Sequence, residues 1–494
     1  MPFNQNEKNI DLNNNNQNQG ISESHASNYS LSALTHYGYY GIGYSYELYF
    51  NPTKFILNYL YPIASREGVA VAPAFSPFLV SLGYAPQIVV LGPHDKTALL
   101  RLFQYGEEEN DMAAREPLDR VRHALGTVTI ANMQGEKAYE QRKKIKQHLH
   151  NDIETYTETY RIFLNLFKNW DFHYTYQENI RFAVTNVVAK VVFGIPQVDI
   201  AYMKTLQEMS YALAHYEPTD TRFKEASQHM QMIGDNIVKQ YGKDIIKANK
   251  FIADQLQDDS SVEKLLEIKA GSSILVEGNL SNTIMIALER IMDDETIKSR
   301  LRKEFKSLDF ATPSEKTFEE INKNVYLHQI YMEALRFVQS SVMIARKSSR
   351  ITEWDIKNKE GESRHFSINA GSYFFAPVRA MGHDPNLWKN PEQFDPARFE
   401  GTKLNEFSLN NIFPFTTGKR MCPAASRFAK LVFKTAIAVT VLRNEFTLSA
   451  KMQPIPADSI HPILEPPMQL ESYKEAHATD IDPLEIQCLG RGLC

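Results

Sequence analysis

Cys422 lies in the run Phe415-Thr416-Thr417-Gly418-Lys419-Arg420-Met421-Cys422-Pro423-Ala424, directly before a stretch in which Phe428, Leu431, Val432, Thr435, Ala436 and Val439 recur at three- and four-residue spacing. Those positions share one helix face, which the pattern predicts to be buried. Arg427, Lys430 and Lys434 fall on another face and predict a basic, solvent-side stripe. A thiolate at the start of a helix lies beside free backbone N–H groups and the positive end of the dipole, which lower its pKa and temper the sulfur's charge. A bound metal would complete that stabilisation. Gly418 would let the loop fold back tightly, and Phe415 would shield the sulfur from water. A lone cysteine is equally compatible with an inert buried thiol, so the surrounding residues must decide.

Phe415, Gly418, Arg420 and Cys422 fit the spacing F-x-x-G-x-R-x-C, and here the chain resembles the haem-thiolate superfamily, the cytochromes P450. The resemblance implies that Cys422 is the axial ligand to the iron of a haem b and that Arg420 pairs a propionate. Ala424 stands where the family usually has glycine. Four further stretches carry the resemblance. Gly135 to Arg142 looks like the start of the helix that crosses a propionate, with Arg142 in the binding position and Ala138 replacing the usual Trp or His. Glu333-Ala334-Leu335-Arg336 and Asp395-Pro396-Ala397-Arg398-Phe399 match the family's E-x-x-R and P-x-R-F segments, implying a buried ion-pair cluster of Glu333, Arg336 and Arg398 that holds the cysteine loop. His383-Asp384-Pro385-Asn386-Leu387-Trp388, with Pro391 and Phe394, resembles the region that follows. Arg346 falls where many relatives place a second propionate-binding arginine.

Ser273 to Met292 is apolar enough to run through a core and most resembles the long helix over the distal haem face. Relatives carry an acid and an alcohol at its centre to relay protons during dioxygen activation. In Glu277-Gly278-Asn279-Leu280-Ser281-Asn282-Thr283, anchoring on Gly278 puts Leu280 at the acid position and Ser281 at the alcohol position. The acid is absent. The candidates for the relay are the Ser281 hydroxyl, the Asn279 or Asn282 amide as a water holder, and Glu277, which is either a satisfied buried carboxylate or a relocated proton donor or substrate-amine partner.

At 494 residues with 43% apolar content the chain has material for a large core, and a net charge of -5 argues against a general nucleic-acid binder. Three cysteines, Cys422, Cys488 and Cys494, are too few for a disulfide framework. No apolar run is long enough to span a bilayer and no signal sequence opens the chain, so a soluble, cytoplasmic protein without a membrane anchor is expected. Residues 1–28, rich in Asn, Gln and Ser, are predicted to be disordered, with 29–494 a single catalytic domain. The pattern further predicts a first helix near Lys54 to Arg66, a β-hairpin pairing Phe78–Leu82 with Gln87–Leu91, a helix from Asp95 to Phe103, helices through 151–250, and a small sheet from Ser348–Ile356 and His365–Ile368.

The fold class implied is mainly α with small β-sheets, a triangular helical prism around haem. The activity implied is a monooxygenase that oxidises a hydrophobic small molecule, with electrons from a separate ferredoxin, flavodoxin or reductase docking on a basic proximal face that includes Lys143, Lys144, Lys430 and Lys434. The missing acid keeps a second reading open, an electron-independent isomerase or dehydratase of the same fold. A haem-binding sensor without turnover is a third.

Overall fold

A helix of 32 residues, Val262–Asp293, runs through the molecule, and each residue from Leu280 to Glu289 is buried. That buried stretch, polar only at Ser281, Asn282, Thr283 and Glu289, is covered on all sides. The computed structural model describes residues 52–73, 86–104, 112–113, 135–149, 152–215, 219–248, 262–339, 341–401, 412–418, 421–425, 427–455, 463–465 and 467–475. The proposed tail at 1–28 and the Phe78–Leu82 strand lie outside them.

The helices in chain order are α1 (52–67, in consecutive pieces Pro52–Phe55, Ile56–Leu60 and Tyr61–Glu67), α2 (Lys96–Gln104), α3 (Gly135–His148), α4 (Ile153–Leu164), α5 (Tyr176–Phe193), α6 (Ile200–His215), α7 (Thr221–Ala248), α8 (Val262–Asp293), α9 (Glu295–Glu304), α10 (Glu315–Lys323), α11 (Val325–Val338), α12 (Val378–Gly382) and α13 (Phe428–Arg443). Their ends follow local chemistry. Thr175 and Glu178 cap α5 reciprocally, and Gly194 closes it in the left-handed region at φ 65°. Asp152 and Asn324 accept the free amides of Thr155 and Leu327 at the starts of α4 and α11.

Strands β1 (Val69–Pro73), β2 (Gln87–Leu91), β3 (Met112–Ala113), β4 (Ile344–Ser348) and β7 (Tyr373–Ala376) form one sheet in the order β1-β2-β7-β4-β3. β5 (Thr352–Lys357) pairs with β6 (Ser363–Ile368) as a separate hairpin. β8 (Asn444–Leu448) pairs with β11 (Leu470–Glu475), and β9 (Gln453–Ile455) with β10 (Ile463–Glu465). The expected hairpin is corrected here: β2 is antiparallel to β1 on one side and parallel to β7 on the other, so both its edges are taken without Phe78–Leu82. All five β2 residues are buried, as a strand covered on both faces requires.

Two apolar cores result. The larger joins α4, α5, α8, α11 and α13, and the other joins α1, α2 and the five-stranded sheet. The helix after the cysteine is also corrected. From Phe428 to Val441 every residue of α13 is buried, Lys430 alone being half-buried, so the chain wraps it entirely and no solvent-side basic stripe exists along it. Among the described residues no helix is long and apolar enough to cross a membrane.

Candidate functional site

The cysteine loop is held by its own backbone. The Cys422 amide donates to Phe415 O at 3.0 Å, Met421 N to Gly418 O at 3.1 Å, and Ala425 N to Cys422 O at 3.2 Å. Gly418 takes φ 70° and Thr416 φ 57°, so the loop reverses through the left-handed region twice, with glycine at one of the two positions. Phe415, half-buried, packs with Cys422 against the helical core. The Arg420 side chain lies outside the described residues.

Cys422 is half-buried and packs against the helical core. Burial pushes its thiol pKa up. The Ala424 amide, the Arg142 charge and the Ala425 amide act the other way without reversing it. The expected lowering by a helix start does not prevail, because α13 begins only at Phe428 and the sulfur meets two turn amides instead. Such a thiol needs a cation to remain a thiolate, and the turn amides are ready to receive the sulfur's charge.

Two guanidinium groups face the same region. Arg142 on α3 is close enough to Cys422 for the charges to couple, and burial is the main force lowering its pKa. Arg346 on β4 is 7% exposed and donates from Nη1 to Ala345 O at 2.8 Å, while its Nε has no hydrogen-bond acceptor among the described residues. Burial first, and then the Arg142 charge, lower its pKa to about 10. Two buried cations coupled to each other, beside a thiol backed by amide donors, fit a flat group with a soft-metal centre and two carboxylates. Arg142 thus lies near enough to couple with both Cys422 and Arg346. The pattern gave no sign of Tyr331, fully buried on α11, whose hydroxyl is held far above its ordinary pKa by burial and then by Cys422.

The scaffold cluster also assembles. Arg336 grips Glu333 through two bonds, Nε to Oε2 at 2.7 Å and Nη2 to Oε1 at 2.8 Å, with both side chains fully buried. Arg398 Nε lies 3.4 Å from Glu333 Oε1, and the Asp395 amide donates to the same oxygen at 2.7 Å. Arg336 also donates to the carbonyls of Gly382, Pro391 and Gln393. Burial raises the Glu333 pKa despite these partners. Met332, Phe399 and Ile412 then pack together, which carries the cluster to the segment entering the cysteine loop.

On α8, Ser281 is fully buried and donates to Gly278 O at 3.3 Å, and Thr283 donates to Asn279 O at 2.8 Å. Asn279 Oδ1 has no hydrogen-bond donor among the described residues. Leu280, at the acid position, is 6% exposed within the helical core. The Glu277 side chain lies outside the described residues. Asn282 accepts from Arg181 Nη2 at 2.7 Å, a link from α5 to α8 that no motif announces. On the proximal side Lys143 is exposed and Lys430 half-buried, and the Lys144 side chain lies outside the described residues. Lys434 is fully buried, its ammonium donating to the carbonyls of Ile321, Asn322 and Asn324 at 3.1, 3.0 and 3.0 Å, and so it leaves the expected docking face.

The family model for cytochrome P450 matches residues 75–471. This chain belongs to the cytochrome P450 family. Membership implies a haem cofactor, which the Cys422, Arg142 and Arg346 arrangement fits. Similar curated P450s include the Catharanthus roseus (+)-vincadifformine 19-hydroxylase, 25% identical over 243 residues (44% of this chain, 46% of that protein), and a Strychnos norfluorocurarine oxidase, 32% identical over 142 residues (28% of this chain, 27% of that protein). The Drosophila melanogaster probable cytochrome P450 6a13 is 28% identical over 173 residues, 35% of this chain and 34% of that protein. The matched stretches span less than half the length of these relatives. In fold, the chain is similar to the crystal structure of the P450 CYP102L1, with a TM-score of 0.63 at 12% identity over 87% of this chain and 95% of that one. Retinoic acid bound cyanobacterial CYP120A1 gives a TM-score of 0.59 at 17% identity over 80% and 90% of the two chains.

Proposed function

We infer that this P450 is a monooxygenase that binds haem b through Cys422 and oxidises a hydrophobic small molecule with electrons from a separate donor protein. The carrying observation is the Cys422 thiol, packed on the helical core, backed by the Ala424 and Ala425 amides and coupled to the Arg142 charge. The hydroxylase and oxidase names of two relatives support oxidative chemistry. When bound, the haem supplies dioxygen activation and electron transfer, which thiolate ligation favours.

The chain's own groups have definable roles. The Ala424 and Ala425 amides temper the sulfur's charge, so the ligand donates without being fully exposed. Arg346 and Arg142, with Arg420, would neutralise the two carboxylates and fix the plane of the group. Ser281 holds its proton toward Gly278 O and must rotate away from that carbonyl to pass it on. An acidic donor protein would meet exposed Lys143, Lys146 and Arg427, with Lys430 at their edge.

Reduced protein under carbon monoxide should give the absorption band diagnostic of thiolate ligation, and Cys422→Ala should abolish it. A variant that keeps the band would sink the assignment. Leu280, packed apolar at the acid position, favours the donor-independent isomerase or dehydratase as a second reading. Oxidised product that requires NAD(P)H, ferredoxin and reductase supports the monooxygenase, whereas rapid turnover of a lipid hydroperoxide without donor supports the second reading.

A further inference from the structure

Lys434 fixes where α13 meets α11. From the middle of α13 its ammonium donates to the carbonyls of Ile321, Asn322 and Asn324, where α10 ends and α11 begins. Lys430 is one turn earlier on the same face of α13, and His328 is one turn inside α11 from Asn324. Followed inward from this joint, both helices lead to the cysteine loop. Tyr331, the next residue on the His328 face, has its ring centroid 6.2 Å from that of His328 and couples to Cys422, while α13 starts just beyond the cysteine. Val325, the preceding residue on that face, is 61% exposed. The seam between α11 and α13 therefore runs from the surface toward the thiol.

This seam holds positive charge with nothing to balance it. Lys430 is half-buried and has neither a hydrogen-bond acceptor nor an ion-pair partner among the described residues. His328 is almost fully buried, and both ring nitrogens lack partners there. No described carboxylate acts on Lys430, Lys434 or His328, whereas both lysines act on His328 and Lys430 acts on Lys434. Three carbonyls already satisfy Lys434, so the open donors are those of Lys430 and His328. A buried donor without an acceptor costs free energy that an acceptor recovers. We propose that Lys430 and His328 form a site for a small monovalent anion, which accepts from the lysine ammonium and from an N–H of the imidazole. A neutral ring suffices, since one of its two nitrogens carries a hydrogen. The anion balances the Lys430 charge and weakens its repulsion of Lys434. A half-buried site selects a weakly hydrated anion, because a strongly hydrated one gives up more on leaving water. The site stands on these residues alone and holds for either activity considered above.

The test uses the haem-loaded protein with bromide as the probe. Sodium bromide replaces sodium fluoride at constant ionic strength, so that general screening does not change. The thermal midpoint should rise along a single-site saturation curve, as linkage requires of an ion bound by the folded state. Lys430→Gln should raise the apparent bromide Kd about 10- to 100-fold, the loss of one charged hydrogen bond. His328→Leu should weaken binding in the same direction, and His328→Gln, which keeps an N–H, should restore most of it. Lys143→Gln, at an exposed lysine on α3, should leave the curve as it is. Anomalous scattering from bromide-soaked wild-type crystals should place an ion between Lys430 Nζ and the His328 ring, which keeps the site testable should a variant not fold. A saturation curve that Lys430→Gln or His328→Leu leaves unchanged overturns the site. So does the absence of saturation in wild type, in which case a crystal peak is an adventitious ion only.

Discussion

His328 is 2% exposed, and neither ring nitrogen has a hydrogen-bond partner among the described residues. Burial, with the charges of Lys434 and Lys430 behind it, holds its pKa down at about 3 against an ordinary 6.5. The folded protein therefore keeps this imidazole neutral while the unfolded chain protonates it, so stability is fully present above pH 6.5 and falls as the pH drops toward 3. The loss should reach about 2 kcal/mol near pH 5, read as a fall in the thermal midpoint. His328→Gln should flatten that slope, and an unaltered acid profile would assign it to other groups. The cause lies partly in Lys434, which caps the carbonyl end of α10 from the middle of α13. Spacing along the chain puts Lys434 on a stripe with Lys430, but nothing in that spacing shows that the carbonyls of a distant helix end will enclose it.

Between elements, the Glu333–Arg336 pair acts as a rivet. It joins α11 to α12 through Gly382 O and to the 389–398 segment through Pro391, Gln393 and the Asp395 amide. The approach at Gly382 is so close that a Cβ there would stand 2.5 Å from Arg336 O, so only glycine lets α12 lie against the end of α11. Glu333→Ala would leave two guanidinium groups facing an uncompensated buried site, at a cost of roughly 3–5 kcal/mol. The denaturant midpoint and the yield of haem-loaded protein should fall together. A variant with normal stability would mean that the carbonyls alone suffice for Arg336. The i,i+3 spacing put Glu333 and Arg336 on one helix face, but their burial and their partnership with the distant Arg398 were legible only through the resemblance of E-x-x-R and P-x-R-F to the family's segments. The strand pairing was less so: β2 takes its neighbours from β1 and from β7, nearly 300 residues away, and alternation within Phe78–Leu82 holds no information about which edges are already filled. The Thr175–Glu178 capping box acts within one turn, yet the helical pattern through 151–250 did not mark where α5 begins.

At the scale of the whole molecule, the site spans both cores. Cys422 and the α3 residue Ile145 pack on the helical core, whereas β4, which carries Arg346, belongs to the sheet-side core through Ile344. A group held by Cys422, Arg142 and Arg346 together therefore ties the two cores, and any ligand bound only by the folded state raises its stability. The same geometry has a cost before the group arrives, since Arg346 is buried beside a second cation and both are driven toward lower pKa values. Arg346→Met keeps an extended apolar stem while removing that charge. It should raise the thermal midpoint of the haem-free protein and at the same time speed haem loss to an acceptor protein by about 10- to 100-fold, the loss of a charged hydrogen bond worth roughly 1.5–3 kcal/mol. The two effects must have opposite signs, because one removes a repulsion that the empty fold bears and the other removes the attraction that offsets it. If haem-free Arg346→Met is instead less stable than the parent, Arg346 serves the sheet through its Ala345 bond, and its place as a carboxylate ligand is lost.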